Sequence, residues 1–146
     1  MRKLLKSSLL ACFFVMLASG CESDLSNGDL DGMWQLRQIA YADGRTDSCE
    51  YTYYIIQHRL IELAWRPEDK RPGQEMTYYV GRFAHIGDSL HVGDFRYYKN
   101  EAERVSPDEL SRFGLRTDTT HFRVNTLNHS HMTLDAGYAL LHFRKF

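Results

Sequence analysis

Arg82-Phe83-Ala84-His85-Ile86-Gly87-Asp88-Ser89-Leu90-His91-Val92-Gly93-Asp94-Phe95 is the stretch on which the fold turns. One reading makes Ser89 a nucleophile on a strand–turn–helix elbow, which requires a helix directly after the serine. The other makes Gly87-Asp88 the two-residue turn of a β-hairpin. The flanks decide between them. Leu90 and Val92 alternate with His91 and Gly93, and Phe83 and His85 alternate with Arg82 and Ala84. A period of two on both sides is the signature of strands. Glycine tolerates the positive φ that the first turn position needs. The hairpin reading therefore pairs Ile86 with Ser89 and His85 with Leu90.

The letters Gly87-Asp88-Ser89-Leu90 do resemble the signature of the GDSL hydrolases, whose serine is catalytic. That family carries the motif near the start of a three-layer α/β fold, with Asp-x-x-His far downstream. Here Asp118-Thr119-Thr120-His121 follows after only about thirty residues, and one short helix stands between them rather than βα units. Ser89 is read as the end of a turn, and no enzyme is expected.

Working outward, Met33 to Tyr41 is a strand candidate closed by Asp43-Gly44. Tyr51 to Trp65 is long, rich in Tyr and Ile, and lacks an internal breaker. Arg66 to Gln74 holds two prolines and a glycine and reads as a surface loop. Thr77 to Ile86, Leu90 to Tyr98, His121 to Leu127, His131 to Leu134 and Tyr138 to Phe146 complete the set. Closely spaced strands of this kind predict an all-β sandwich or barrel. One helix interrupts them. Ser106-Pro107-Asp108-Glu109 supplies an N-cap, a proline at the first helical position and an acid that can reach back. Val105 and Leu110 occupy the positions of a hydrophobic staple, and Gly114 is a natural stop. The segment from Pro107 to Phe113 is a candidate cap over one barrel end.

The N-terminus reads as an address. Arg2, Lys3 and Lys6 precede an apolar run from Leu9 to Leu17, too short to cross a bilayer. Ala18-Ser19-Gly20-Cys21 resembles a bacterial lipobox, which implies cleavage before Cys21 and lipidation of that cysteine. Residues 1–20 are then a lipoprotein signal peptide, 21–31 a polar tether, and 32–146 the folded domain. The implied location is the cell envelope, at the outer membrane, with membrane contact through the lipid anchor.

The whole chain has 18 Lys and Arg against 19 Asp and Glu. Loss of the signal would take the net charge to about −4, the wrong sign for phosphate backbones, so no nucleic acid partner is expected. Cys12 leaves with the signal and Cys21 carries lipid. Cys49 alone cannot form an internal disulfide.

Gly32-Met33-Trp34 resembles the Gly-x-Trp of lipocalins and related calycins. The mature chain looks like the lipocalin-like lipoproteins of Bacteroidetes, a group largely of unknown function. The stretches that carry this are Asp31 to Leu36, Gly81-Arg82-Phe83, Gly87 to Leu90, Phe113-Gly114-Leu115 and Met132 to Phe146. The Thr-Asp-Tyr motif and the disulfide of true lipocalins are missing. The resemblance implies an up-and-down β-barrel of about eight antiparallel strands, with the short helix before the last three. It also implies that Gly32 and Trp34 close one end while Arg144 packs over the indole.

Binding residues follow from the strand phase. If Tyr51 to Trp65 is one regular strand, Tyr53, Gln57 and Arg59 share its inward face. An inward arginine demands an anion, so a fatty acid or another carboxylate ligand would suit it. A bulge near His58 would instead send Arg59 to solvent. Tyr79 and Phe83 are further candidates for a cavity wall. His129 and His131 fall in a hairpin loop and His85 and His91 on opposite faces, so neither metal nor cofactor is expected. Two functions remain open: a barrel that binds a small apolar or amphipathic ligand, and a filled barrel that acts as a protein interaction module.

Overall fold

The structure, a computed structural model, describes residues 26–67 and 76–146. Within them the chain runs as β1 (Gly32–Tyr41), β2 (Thr46–Ser48), β3 (Thr52–Gln57), β4 (Leu60–Trp65), β5 (Thr77–Ile86), β6 (Ser89–Tyr97), β7 (Asn100–Arg104), α1 (Pro107–Ser111), β8 (Thr120–Leu127), β9 (His131–Asp135) and β10 (Ala139–Lys145). All pairings are antiparallel, and β10 returns to β1, with Leu36 opposite Phe143 and Ile39 opposite Leu141. Eight strands thus close a barrel, and β2 and β7 lie beside it as extra ribbons. Closure leaves the barrel wall without a free edge. The Gly87-Asp88 hairpin forms as read: Gly87 has φ +62°, Ile86 faces Ser89 and His85 faces Leu90. Ser89 opens β6, so no elbow forms there.

The expectation of one strand from Tyr51 to Trp65 is corrected. The chain reverses at His58-Arg59, and Gln57 pairs with Leu60. His58 takes the left-handed φ of +57° that the tight turn needs. The reversal flips the phase, so Thr52, Tyr54, Ile56, Ile61 and Leu63 point inward.

The interior holds one continuous apolar core. Trp34, Tyr54, Phe95, Leu90 and Leu63 are fully buried and belong to one continuous core. α1 seals the end where β1 finishes. Its capping box is complete, with Ser106 and Glu109 bonding each other's backbone N–H. Its stop is a Schellman closure. Gly114 sits at φ +78°, Leu115 N–H reaches Leu110 C=O, and Gly114 N–H reaches Ser111 C=O. Leu110, Phe113 and Leu115 enter the core, and Tyr54 Oη donates to Phe113 C=O at 2.7 Å. The expected cap is therefore a plug.

The opposite end is shut by the segment ahead of β1. Leu30 is fully buried, and Trp34 Nε1 donates to its carbonyl at 2.8 Å. The packing thus extends a few residues before Gly32. Cys21 and the signal peptide lie outside the described residues, and so does most of the proline-rich loop.

Candidate functional site

The residues expected to line a cavity do not converge. Tyr79 is buried in the core and donates to Glu109 at 3.1 Å. Phe83 packs half-buried against the same core. Tyr53 lies on the outer wall, edge-on to Phe146 at 5.6 Å. Gln57 is exposed at the end of β3, and Arg59 is exposed in the turn that follows. The inward arginine is thus corrected, because the chain reversal at His58-Arg59 carries that side chain into solvent.

Arg144 is corrected too. It faces outward and donates to Gln35 Oε1 at 3.2 Å. Lys145, opposite Trp34 in the ladder, covers the indole instead, with its ammonium 4.8 Å from the ring centre. The ammonium also donates to Asp29 C=O at 3.0 Å. Gly32 sits beside this contact at φ +126°, a conformation that L side chains rarely adopt. The parity of β10 decides the matter: Leu141 and Phe143 point inward, so Lys145 follows them and Arg144 does not.

One concavity lies on the outside of the barrel. A groove of about 650 Å³ runs over β3 to β7. The ladder sets Ile55, Glu62, Val80 and Arg96 side by side across four strands, and Leu60 next to Arg82. A bulge opposite Val80 and Arg82 bends the wall at this point. Asp94 takes φ +56° there, and Phe95 turns in over Gly81, where a Cβ would meet the ring at 2.6 Å. Tyr98, largely exposed, stands on the rim.

The groove's charges are mostly paired. Asp94 binds Arg96 at 2.9 Å and Arg104 at 3.6 Å, and its hydrogen bond from Arg96 holds its pKa below the ordinary aspartate value. Glu62 is half-buried, and burial raises its pKa against the pull of Arg66 at 3.7 Å. Arg82 is exposed and makes no hydrogen bond or ion pair among the described residues. An apolar floor with one available guanidinium can hold an apolar side chain or tail beside an anionic group. Of the expected binding residues only Gln57 borders this groove; sequence reasoning missed the rest because its floor is made of outward strand residues and its rim of the unseen β3–β4 turn and the start of β7.

Other chemistry-bearing residues are occupied elsewhere. Asp118 accepts from Phe95 N–H at 2.9 Å and from Arg104 at 3.1 Å, while His121 stacks on His91. Asp118 and His121 are thus each engaged with other residues. Cys49 is half-buried, and desolvation raises its thiol pKa. Among the described residues no three His, Cys, Asp or Glu side chains gather as a metal site, and no helix is long and apolar enough to cross a membrane.

Comparison with known proteins agrees with this architecture. The family model described as a lipocalin-like domain matches residues 15–146, almost the whole chain. The chain belongs to that lipocalin-like family. A solved lipocalin-like protein from Bacteroides uniformis is 25% identical, with TM-score 0.65, covering 82% of this chain and 100% of the other. An uncharacterized protein from Bacteroides eggerthii shares the fold at 19% identity, with TM-score 0.61 and coverage of 80% and 98%. No curated protein matches. In this lipocalin-like chain Trp34 is fully buried beside Leu30 at one end, and α1 plugs the other.

Proposed function

We propose that the protein is a lipid-anchored, non-enzymatic component of the cell envelope that recognises a partner on the outer wall of a filled barrel. The observation that supports this is the division of its surfaces. The inward rows close on one another and on α1 as a single core, while the groove over β3 to β7 lies outside. The surroundings of the groove suit a protein partner. Tyr98, Leu60 and Met76 are exposed, and Arg66 lies over the rings of Tyr53 and Tyr78. Exposed aromatic, methionine and arginine side chains are the residue types enriched at protein interfaces. The partner would insert an apolar side chain against Ile55 and Val80 and set an acidic neighbour on Arg82.

A second reading rests on the groove's volume, which is within the range of small-molecule sites. A small amphipathic carboxylate could lie over Val80 with its head on Arg82.

One experiment separates the two. Envelope fractions are cross-linked from a photoreactive residue placed at Tyr98, in the wild type and in Val80→Arg. A defined adduct that disappears in Val80→Arg supports the protein partner. Displacement of a fluorescent fatty acid by laurate, lost in the same variant, supports the small ligand. Failure of both, or insensitivity of both to Val80→Arg, overturns recognition at the groove. The anchor has its own test. Cys21→Ala should move the protein into the soluble fraction, and retention in the membrane would refute lipidation.

A further inference from the structure

His91 and His121 face each other across β6 and β8 on the outer wall, away from the groove. Their rings are stacked 4.0 Å apart and lie within 7° of parallel. The backbone explains the closeness. Val124 N–H donates to Asp88 C=O, which fixes the ladder phase and makes Leu90–Phe122 a hydrogen-bonded pair. His91–His121 then falls at a non-hydrogen-bonded site, where Cα atoms approach to about 4.5 Å and side chains run closest together. On one flank Ala84 stands opposite His91, so no long side chain crowds the pair there. Both rings are exposed, and none of their nitrogens makes a hydrogen bond among the described residues. Two other histidines differ, since His131 contacts Ser130 at 2.9 Å and His142 contacts Thr133 at 3.4 Å.

We propose that His91 and His121 form a two-imidazole chelating site for a borderline divalent transition ion such as Zn²⁺ or Ni²⁺. Neutral imidazole nitrogen suits these ions, whereas Ca²⁺ and Mg²⁺ select oxygen. Two Zn–N bonds of normal length at a tetrahedral angle need nitrogens roughly 3.3 Å apart. Stacked rings aim their in-plane lone pairs side by side, so each must turn by roughly 50° to meet one ion, a rotation that exposed side chains can make about their own bonds with no movement of the strands. The ladder on both sides holds the ligands in place, so little ordering is lost on binding. No third protein ligand joins them among the described residues. Water or a donor from outside completes the shell, and the site is open rather than structural.

The test is calorimetric titration of the full, tag-free chain with ZnCl₂ and NiCl₂ in chelator-stripped buffer at pH 7.5. One ion per chain is expected. His91→Asn and His121→Asn should each weaken binding roughly tenfold or more, and the double variant should bind no tighter than either single one. His129→Asn, in the loop before β9, should bind as the wild type does. Thermal melting gives a second readout: Ni²⁺ should raise the midpoint of the wild type and of His129→Asn, but of neither single variant. No saturable binding up to millimolar metal, or single variants that retain wild-type affinity, would overturn the site.

Discussion

Glu109→Ala is the sharpest test of how the barrel is plugged. The Glu109 carboxylate accepts from Tyr79 Oη at 3.1 Å, from Tyr97 Oη, from Ser106 Oγ at 2.9 Å and from Ser106 N–H at 3.3 Å. Truncation removes the capping box, worth about 1 kcal/mol. It strands the hydroxyl of Tyr79, a residue only 4% exposed, at about 1–3 kcal/mol. The Tyr97 bond is wetter and adds about 0.5–1 kcal/mol. The expected loss is about 3 kcal/mol, a large part of the roughly 5–15 kcal/mol typical of a domain. At about 3–5 °C per kcal/mol for this size, the thermal midpoint should fall by about 9–15 °C. Urea denaturation followed by circular dichroism measures the free energy directly. Glu109→Gln keeps one acceptor oxygen and should lose about half as much. In a double-mutant cycle, Tyr79→Phe should cost much less in the Glu109→Ala background than in the wild type. A Glu109→Ala protein within about 0.5 kcal/mol of the wild type would refute the plug's dependence on this carboxylate.

The same cluster predicts two pH limits. The Tyr97 hydrogen bond holds the Glu109 pKa below its ordinary value, so its contribution is present above the usual carboxylate range and is lost as pH falls through the lowered value. Tyr97 is pushed up to about 12 by its bond to Glu109, so stability should hold below pH ~10 and decline as pH rises through ~12, which alkaline melting curves would show. Lys145→Ala should cost about 1 kcal/mol and shift Trp34 fluorescence in a Trp65→Phe background, whereas Arg144→Ala should leave the emission unchanged. If Arg144→Ala gave the larger shift, the assignment of Lys145 to the indole would be wrong. Gly81→Ala should destabilise by about 1–3 kcal/mol in urea, because its Cβ would stand 2.6 Å from the Phe95 ring and 2.8 Å from Gly93 C=O. In hydrogen exchange, the amides of Leu110, Gly114 and Leu115 should open only with global unfolding, and early exchange there would show a separable lid.

The sequence made some features legible because a single residue type settled the backbone. Gly87-Asp88 between two alternating runs left one tight turn, and Ser106-Pro107-Asp108-Glu109 left one helix start. The β3–β4 turn was not legible, because His58-Arg59 contains no glycine, asparagine or proline. Histidine is among the few residue types enriched at positive φ, but that bias is too weak to announce a turn without a partner strand. The Arg144 error had a visible cure. Leu141 and Phe143 are an inward pair by alternation, so Lys145 was the residue in phase with them. The groove was out of reach for another reason. Its shape depends on a bulge and on an extra strand whose five residues are all exposed, which a search for apolar alternation passes over.

Whether the interior could still serve a ligand is a question of what opening it would cost. Access at the β1 exit requires α1 to leave. That exposes Leu110, Phe113 and Leu115, each buried to within 1%. At about 1.5–3 kcal/mol per large apolar side chain, the loss is of order 5–8 kcal/mol. Departure also breaks the bonds from Tyr54 to Phe113 C=O and from Tyr138 to Gly114 C=O, both 2.7–2.8 Å long. Those add about 1 kcal/mol each, and Arg112 lifts off Trp65. The sum is comparable to the whole stability of such a domain, so an open barrel would be about as rare as the unfolded chain. A ligand would have to bind the open form several orders of magnitude more tightly than usual to populate it. The outer groove requires no such rearrangement. An interior site would thus have to unplug the barrel first, whereas the recognition proposed at the outer groove leaves the core intact.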